Sequence, residues 1–483
     1  MSEFSDLMSL YVKSKDIKTY TMAQYCDLDR STMYKIINGK RNPSSEALVC
    51  KISEFMRLSP LEHAELMEAY HITLTGYEVY YRRKAVRDFF TSFSNSFNDF
   101  PELSMNQSQF TMPASVMPLE GRSEIDHAIY NAVMLEAQKN PGHLKLLLQP
   151  DDHFIMKLLT FASKEKASLK IDHILCLNNM ETVTSSKKYY NLLCLKSIMP
   201  LYICSHNYNS YYYYDNIISH SSIFNLLPYL ILTSDYAIAL SADMELGVIY
   251  YDKSIIGFFN RMFQKYMSRT SLIGERIGST VTDFKNLEYT KVGQAPGVSF
   301  QTEPCLAPMF NKDIINKYLR KTLISQEHFV DSFMAHIQKT MSLIKNNKTT
   351  CIFTVDGVIS FLETGRLSEF PVDMYDPLSL DDRIYLISKL ITVCKCYSYK
   401  MLKQNFGNPR SRLCVYANPQ HSYLLFPSVN DDLIYLDLEE PSILHAFYDY
   451  LTNLGEDVFY SKEESVEILE HLIRKYRQEK MVV

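Results

Sequence analysis

Residues 21–43 read TMAQYCDLDRSTMYKIINGKRNP, and the order of polar and apolar side chains in this stretch decides how the N-terminal part of the chain is built. Thr21 with Gln24 three residues later has the form of a capping box, which predicts a short first helix from Met22 to Cys26. Ala23 is small enough for close contact between helices. Asp27 falls where a turn requires positive φ; glycine suits that position best, and Asp accepts it better than most residues. Leu28 is a turn residue aimed at the core. Asp29 is a good N-cap for a second helix, Arg30 to Ile37, in which Met33, Ile36 and Ile37 share one apolar face. Arg30, Ser31, Tyr34 and Lys35 fall on the opposite side. Asn38-Gly39 closes the helix, glycine being favoured just past a helix end. Two short helices joined by a tight turn present the second one to a major groove.

Charge follows the same division. Arg30 to Ser45 contains four basic residues (Arg30, Lys35, Lys40, Arg41) and no acid, whereas residues 46–70 hold five glutamates. The chain as a whole has a formal charge of -5, so any contact with a polyanion must come from a local patch. Neutralising a few phosphates is enough to make binding depend on salt.

These residues resemble the lambda-repressor-like, or XRE-type, helix-turn-helix domain. That family carries Ala-x-x-x-Gly-Val, then Ser-Arg-Ser-Thr-Ile, then a Gly-Lys-Arg-x-Pro-Ser loop. Here the pattern stands as Ala23, Asp27, Leu28, Asp29-Arg30-Ser31-Thr32-Met33 and Gly39-Lys40-Arg41-Asn42-Pro43-Ser44, followed by helical patterns near Ser45–Met56 and Pro60–Tyr70. Two positions depart from it: the turn glycine is Asp27, and the usual acid late in the second helix is Ile37, which implies an additional apolar contact. The resemblance implies a sequence-specific, bacterial transcription regulator that binds double-stranded DNA. Arg30, Ser31, Tyr34 and Lys35 would face bases or nearby phosphates, with Arg30 placed to pair with guanine. Thr21, Lys40, Arg41 and Asn42 would grip the backbone. The plainer readings are that Tyr34 packs on the domain edge, Arg30 touches phosphate alone, and Lys40-Arg41 is solvated surface. Arg82, Arg83, Lys84 and Arg87 form a second basic cluster, read as the exposed side of a connecting helix or as a contact to flanking DNA.

The rest of the chain has an ordinary globular balance, with 46% hydrophobic and 22% charged residues over 483 positions, enough for several domains. The fold class expected is multidomain: an all-α helix-turn-helix domain (1–76), a connecting helix and linker (77–122), and a large α/β (α+β) region of two pseudo-repeated halves, 123–270 and 271–483. The repeat is read from Tyr229–Phe263 and Arg412–Leu451, which share a strand-turn-strand-turn-strand-helix pattern and an Ile-Tyr-x-Asp at the last strand (Ile249, Tyr250, Asp252; Ile434, Tyr435, Asp437). The alternative is that two unrelated α/β pieces share a common pattern. Pro200 is expected to stop a helix over 185–199. Asp356-Gly357 and Thr364-Gly365 are expected to be turns between short strands. Ten scattered cysteines without a CxxC read as reduced thiols of a cytoplasmic protein rather than a disulfide framework. No signal peptide or bilayer-spanning stretch is visible.

No motif for catalysis stands out: no P-loop, GxGxxG, HExxH or GxSxG. His143, Lys145 and Asp151 loosely resemble the His-x-Lys-x-x-x-x-Asp motif of phospholipase-D-like phosphodiesterases, but the acid is one residue late, Pro150 stands in its place and no second copy occurs; the match reads as coincidence. No metal ligands, cofactor or catalytic residues are therefore expected, and no enzyme activity. The leading reading is a regulator whose C-terminal region senses a small-molecule or peptide effector, or assembles a homodimer, without membrane contact. The alternatives are a DNA-binding domain fused to a partner-recruiting domain, or to an unrecognised enzyme.

Overall fold

The computed structural model describes residues 2–93, 115–179, 189–217, 225–277, 297–320, 326–408 and 412–482. They divide into two compact units, Met1–Ala85 and Val86–Val483.

The first unit is all helix: α1 (Glu3–Ser14), α2 (Thr19–Tyr25), α3 (Arg30–Ile37), α4 (Glu46–Phe55), α5 (Pro60–Thr75) and the start of α6 (Tyr77–Phe93). Its core is built from Phe4, Met8, Met22, Met33, Ile36, Val49, Ile52 and Leu66, all fully buried. Caps mark the helix starts. Asp29 accepts from Thr32 N at 2.8 Å, and Ser45 from Leu48 N at 3.3 Å. Ser59 and Glu62 form a capping box behind Pro60. Three helices end by turning through non-glycine residues at positive φ: Asp16 (50°), Asp27 (55°) and Arg57 (50°). One expectation fails. Thr21 does not cap α2, which begins a turn earlier at Thr19 with Lys18 at the cap position and no side-chain cap. The Thr21 hydroxyl instead donates to Lys18 O at 2.8 Å; this back-bond satisfies it inside a helix and leaves it no capping role.

The unit boundary falls inside α6. Its tyrosines belong to the first unit, where Tyr80 stacks on His71 at 6.2 Å. Its phenylalanines belong to the second, where Phe89 meets Phe447 at 5.3 Å and Phe90 meets Phe300 at 5.2 Å.

The second unit contains two mixed sheets. The first uses β1 (Val116–Glu120), β2 (His143–Leu147), β3 (Lys170–Asn178), β4 (Tyr208–Asp215), β5 (Tyr229–Leu232), β6 (Ala237–Leu240), β7 (Leu246–Tyr250) and β8 (Ser271–Leu272), with α7 (Arg122–Ala137), α8 (His153–Glu165), α9 (Tyr190–Cys204) and α10 (Lys253–Met267). The second uses β9 (Gly274–Ile277), β10 (Gly297–Phe300), β11 (Thr349–Thr354), β12 (Tyr399–Leu402), β13 (Cys414–Ala417), β14 (Ser422–Pro427) and β15 (Leu433–Leu438). Its helices are α11 (Lys312–Tyr318), α12 (Gln326–Lys345), α13 (Val355–Thr364), α14 (Leu380–Cys396), α15 (Pro441–Thr452) and α16 (Lys462–Val482). The strand orders are β1-β7-β6-β5-β2-β3-β4-β8 and, read from its other edge, β9-β15-β14-β13-β10-β11-β12. Without β8 they coincide, and so do the directions: three parallel strands flanked by an antiparallel set. Strand β1 lies within the stretch 77–122 read as a connecting helix and linker, residues 94–114 of which fall outside the described residues. It is an edge strand of the first sheet, paired with β7.

The repeat has a definite register. Hairpins β5–β6 and β13–β14 close on four-residue turns, Leu232 pairing with Ala237 and Ala417 with Ser422. Each turn has the same bond at 2.9 Å, Thr233 N to Tyr236 O and Asn418 N to His421 O. Leu232 is thereby equivalent to Ala417, Tyr250 to Leu438 and Asp252 to Glu440. Both acids cap the following helix, accepting from Ile255 N at 3.1 Å and Ile443 N at 2.7 Å. The Ile-Tyr-x-Asp pairs are thus three positions out of register; the pattern of the last strand repeats, but those residues do not coincide.

Two further expectations are corrected. Pro200 lies inside α9, which runs on to Cys204, because Leu201, Tyr202 and Ile203 are buried there and outweigh the lost backbone bond; residues 185–188 of the expected helix lie outside the described residues. Asp356-Gly357 opens α13 rather than a hairpin. Thr354 caps that helix by accepting from Gly357 N at 3.0 Å, and a Cβ at Gly357 would lie 1.8 Å from Thr302 O, so this glycine allows a close backbone approach instead of a turn. The halves are sewn together at Ile273, fully buried, whose N–H donates to Ser210 O of β4 at 3.0 Å while its carbonyl accepts from Glu439 N, just after β15, at 2.9 Å. Among the described residues no helix is long and apolar enough to cross a membrane.

Candidate nucleic-acid interface

Helices α2 and α3 are joined by the turn Cys26–Asp29. It closes through Asp27 N to Gln24 O at 3.2 Å and Leu28 N to Ala23 O at 2.9 Å, with Leu28 packed against the core. Asp27 takes the left-handed conformation expected of it, and its carboxylate pairs with Lys51 at 2.9 Å. Met33, Ile36 and Ile37 bury the inner side of α3. Ile37, where the resembled family has an acid, is 8% exposed and part of the core.

The end of α3 is held firmly. Asn38 Nδ2 donates to Tyr34 O at 2.8 Å, and Ser9 of α1 donates to Ile37 O at 3.0 Å. Gly39 turns at φ 68° against α1, where a Cβ would lie 2.7 Å from Ser5 Oγ. The N–H groups of Lys40 and Arg41 both donate to Lys35 O, at 2.8 and 3.2 Å. The loop backbone is therefore fixed to the last turn of α3, and Pro43 anchors its far side in the interior.

All eight side chains singled out from sequence, Thr21, Arg30, Ser31, Tyr34, Lys35, Lys40, Arg41 and Asn42, are exposed. Among the described residues no carboxylate forms an ion pair with Arg30, Lys35, Lys40 or Arg41. The Arg30 guanidinium lies 5.6 Å from the Tyr34 ring centroid, a cation–π distance. The neighbouring acid, Asp29, is occupied by Thr32: its side chain and backbone hydrogen bonds hold the carboxyl below the usual carboxylate range. Sequence reasoning missed the exposed Tyr20 and Gln24 on α2, joined at 3.0 Å. Their i, i+4 spacing puts them on one face once α2 is known to start at Thr19. Of the second basic cluster, Lys84 is paired with Glu68 at 2.8 Å.

The second unit does not assemble the remaining sequence candidates. His143 pairs with Asp172 at 2.7 Å, Lys145 donates to Asn260 at 2.5 Å, and Asp151 accepts from Tyr190 at 3.0 Å, so the loose His-Lys-Asp pattern is dispersed. On β4, Tyr212 is buried and Tyr214 hydrogen-bonds Glu440 of the other half. Cys394 and Cys396 point apart on α14, one buried and one exposed. Among the described residues no group of three or more His, Cys, Asp or Glu side chains is placed to hold a metal ion.

No family model matches the chain, and no curated protein matches it. Among solved structures it is similar to TrmBL2, an archaeal chromatin protein described as showing a novel mode of DNA binding, at 10% identity and TM-score 0.20, over 56% of this chain and 100% of that one. It is also similar to the polyphosphate kinase of Porphyromonas gingivalis, at 10% identity and TM-score 0.23, over 78% of this chain and 59% of the kinase. At these identities and scores neither likeness bears on function.

Proposed function

We propose that this chain is a sequence-specific DNA-binding transcription regulator that reads duplex DNA through α3. The observation that carries this reading is the division of α3 and the loop behind it. The inner side is locked into a core. The outer side offers Arg30, Ser31, Tyr34, Lys35, Lys40, Arg41 and Asn42 to solvent, with four cations and no paired acid. Arg30, Ser31, Tyr34 and Lys35 supply base contacts, and Thr21, Lys40, Arg41 and Asn42 supply phosphate contacts. The rigid backbone of residues 38–41 sets the register between the two groups.

One such helix covers too few base pairs for useful specificity, so the regulator acts as a homodimer on a two-fold site. The second unit is far larger than dimerisation needs, and in this reading it senses an effector and biases DNA affinity. The test is selection of bound sequences from a random duplex pool with the full chain, followed by fluorescence anisotropy on the selected site and on scrambled DNA. A preference of at least 10³-fold for the selected site is expected, the range of specific regulators. Equal affinity for both duplexes refutes the proposal.

A further inference from the structure

The repeat register allows the two sheets to be compared position by position, and one face differs. In the first half this face carries Leu146, Leu148, Ile171, Ile231, Ile238 and Leu240, each at most 1% exposed. The equivalent positions of the second half are Ser299, Gln301, Thr349, Tyr416, Tyr423 and Leu425, with Tyr435 in place of Gly247. Beside these aliphatic positions the first half carries His173 and Tyr229 where the second has Cys351 and Cys414, and the second half has, under α12, a cavity of about 120 Å³ lined also by Cys351, Cys414 and Glu369. That is of the order of the ~150 Å³ cavity that admits benzene.

The lining is selective. Glu369 Oε1 is shut off from solvent and has no hydrogen-bond partner, although enclosed polar atoms are almost always satisfied. Glu303, 7% exposed, stands close enough for its charge to act on Glu369; it accepts from Ser368 at 2.8 Å. Among the described residues no lysine or arginine lines the cavity, and burial keeps His336 neutral by lowering it to about 4. An anion would therefore meet two acids, the positive charges of Arg412 and Lys339 acting from outside the lining, on Glu303 and His336. The aromatic wall is a ladder of stacked rings, Tyr416 on Tyr423 at 5.3 Å and Tyr423 on Tyr435 at 4.8 Å. Such rings attract cations through their π faces.

We infer that the cavity between α12 and the second sheet binds a small organic cation, a primary amine of about benzylamine's size, whose ammonium group pairs with the Glu369 carboxylate as the Glu369 proton is released to solvent. The assignment deepens the reading of the second unit as the sensing part of a regulator. It identifies the effector class and rests on that reading only for the consequence at DNA.

The test is isothermal titration calorimetry on the full chain without DNA, using benzylamine, its neutral near-isostere benzyl alcohol, and benzoate. Benzylamine is expected to bind at least tenfold more tightly than either of the others. Glu369→Gln is expected to weaken benzylamine at least tenfold. Ser299→Leu, which installs the residue of the first half, is expected to abolish binding while leaving the thermal midpoint unchanged or higher. Benzyl alcohol binding as tightly as benzylamine overturns the assignment. So does benzylamine binding that neither substitution alters, or an absence of heat from both benzylamine and the smaller n-butylamine. A separate anisotropy titration with DNA at saturating benzylamine isolates the regulatory reading: unchanged DNA affinity there refutes the coupling and leaves the pocket standing.

Discussion

Replacing Glu369 by glutamine should change how stability depends on pH in a calculable way. Burial, then the charge of Glu303, then Cys351 push the Glu369 carboxyl up to about 8. Its unfolded value is about 4.3. Between these values the folded chain holds a proton that the unfolded chain has released, so stability falls as pH rises through that window and levels off above about 8. At about 1.4 kcal/mol per pH unit, the loss attributable to this group at pH 7 is on the order of 3 kcal/mol relative to pH 4. Glu303 is itself raised, burial being the main cause, and acts in the same direction, whereas His336, lowered by burial to about 4, makes stability rise with pH up to about 6.5; comparison of the variant with the parent cancels that contribution and isolates Glu369. Glu369→Gln removes the titration. Urea denaturation followed by circular dichroism at pH 4.5, 6 and 7.5 should show the variant gaining on the parent as pH rises, by about 3–4 kcal/mol over the series. Parallel profiles for the two chains would refute the idea that this acid is held neutral in the fold.

At the interface, Arg30→Ala should cost about 1–3 kcal/mol on the selected site and relax its sequence preference, whereas Lys40→Ala should weaken all duplexes alike and lower the salt slope by about 1; anisotropy at several salt concentrations separates the two. Gly39→Ala should destabilise the first unit by about 1–2 kcal/mol, since φ is 68° and the methyl would press on Ser5; a urea midpoint reads this. Ile37→Glu, which restores the acid of the resembled family, should cost about 2–4 kcal/mol by burying a charge in this core, and a neutral result would mean the side chain can swing out. Residues 1–85 alone should fold as a monomer with weak DNA binding; a tight dimer in sedimentation equilibrium would move the dimer contact into the first unit.

Much of the first unit was legible because local signals agree there. Asp29 at a cap, Asp27 at a left-handed turn, Gly39 after a helix and the Met33-Ile36-Ile37 stripe each constrain one residue's conformation, and all point to the same arrangement. The errors arose where tertiary packing overrides local preference. Pro200 reads as a stop, yet buried side chains beyond it carry α9 forward. Asp356-Gly357 reads as a hairpin, yet the glycine is there for the backbone of Thr302, which no local pattern reveals. The strand and helix order of the repeat was visible in hydrophobic patterning, while its register was not, because hairpin pairing depends on which residues oppose one another. The cavity was invisible for the same reason: Ser299, Cys351, Cys414 and Tyr416 come together only through strands that are far apart in the chain.

Ile273 has a mechanical consequence. A residue whose amide serves one sheet and whose carbonyl serves the other is a rivet between the halves. The same rivet ties the halves into one cooperative block. In native-state hydrogen exchange the Ile273 amide should rank among the slowest of the chain, opening only when the whole block unfolds.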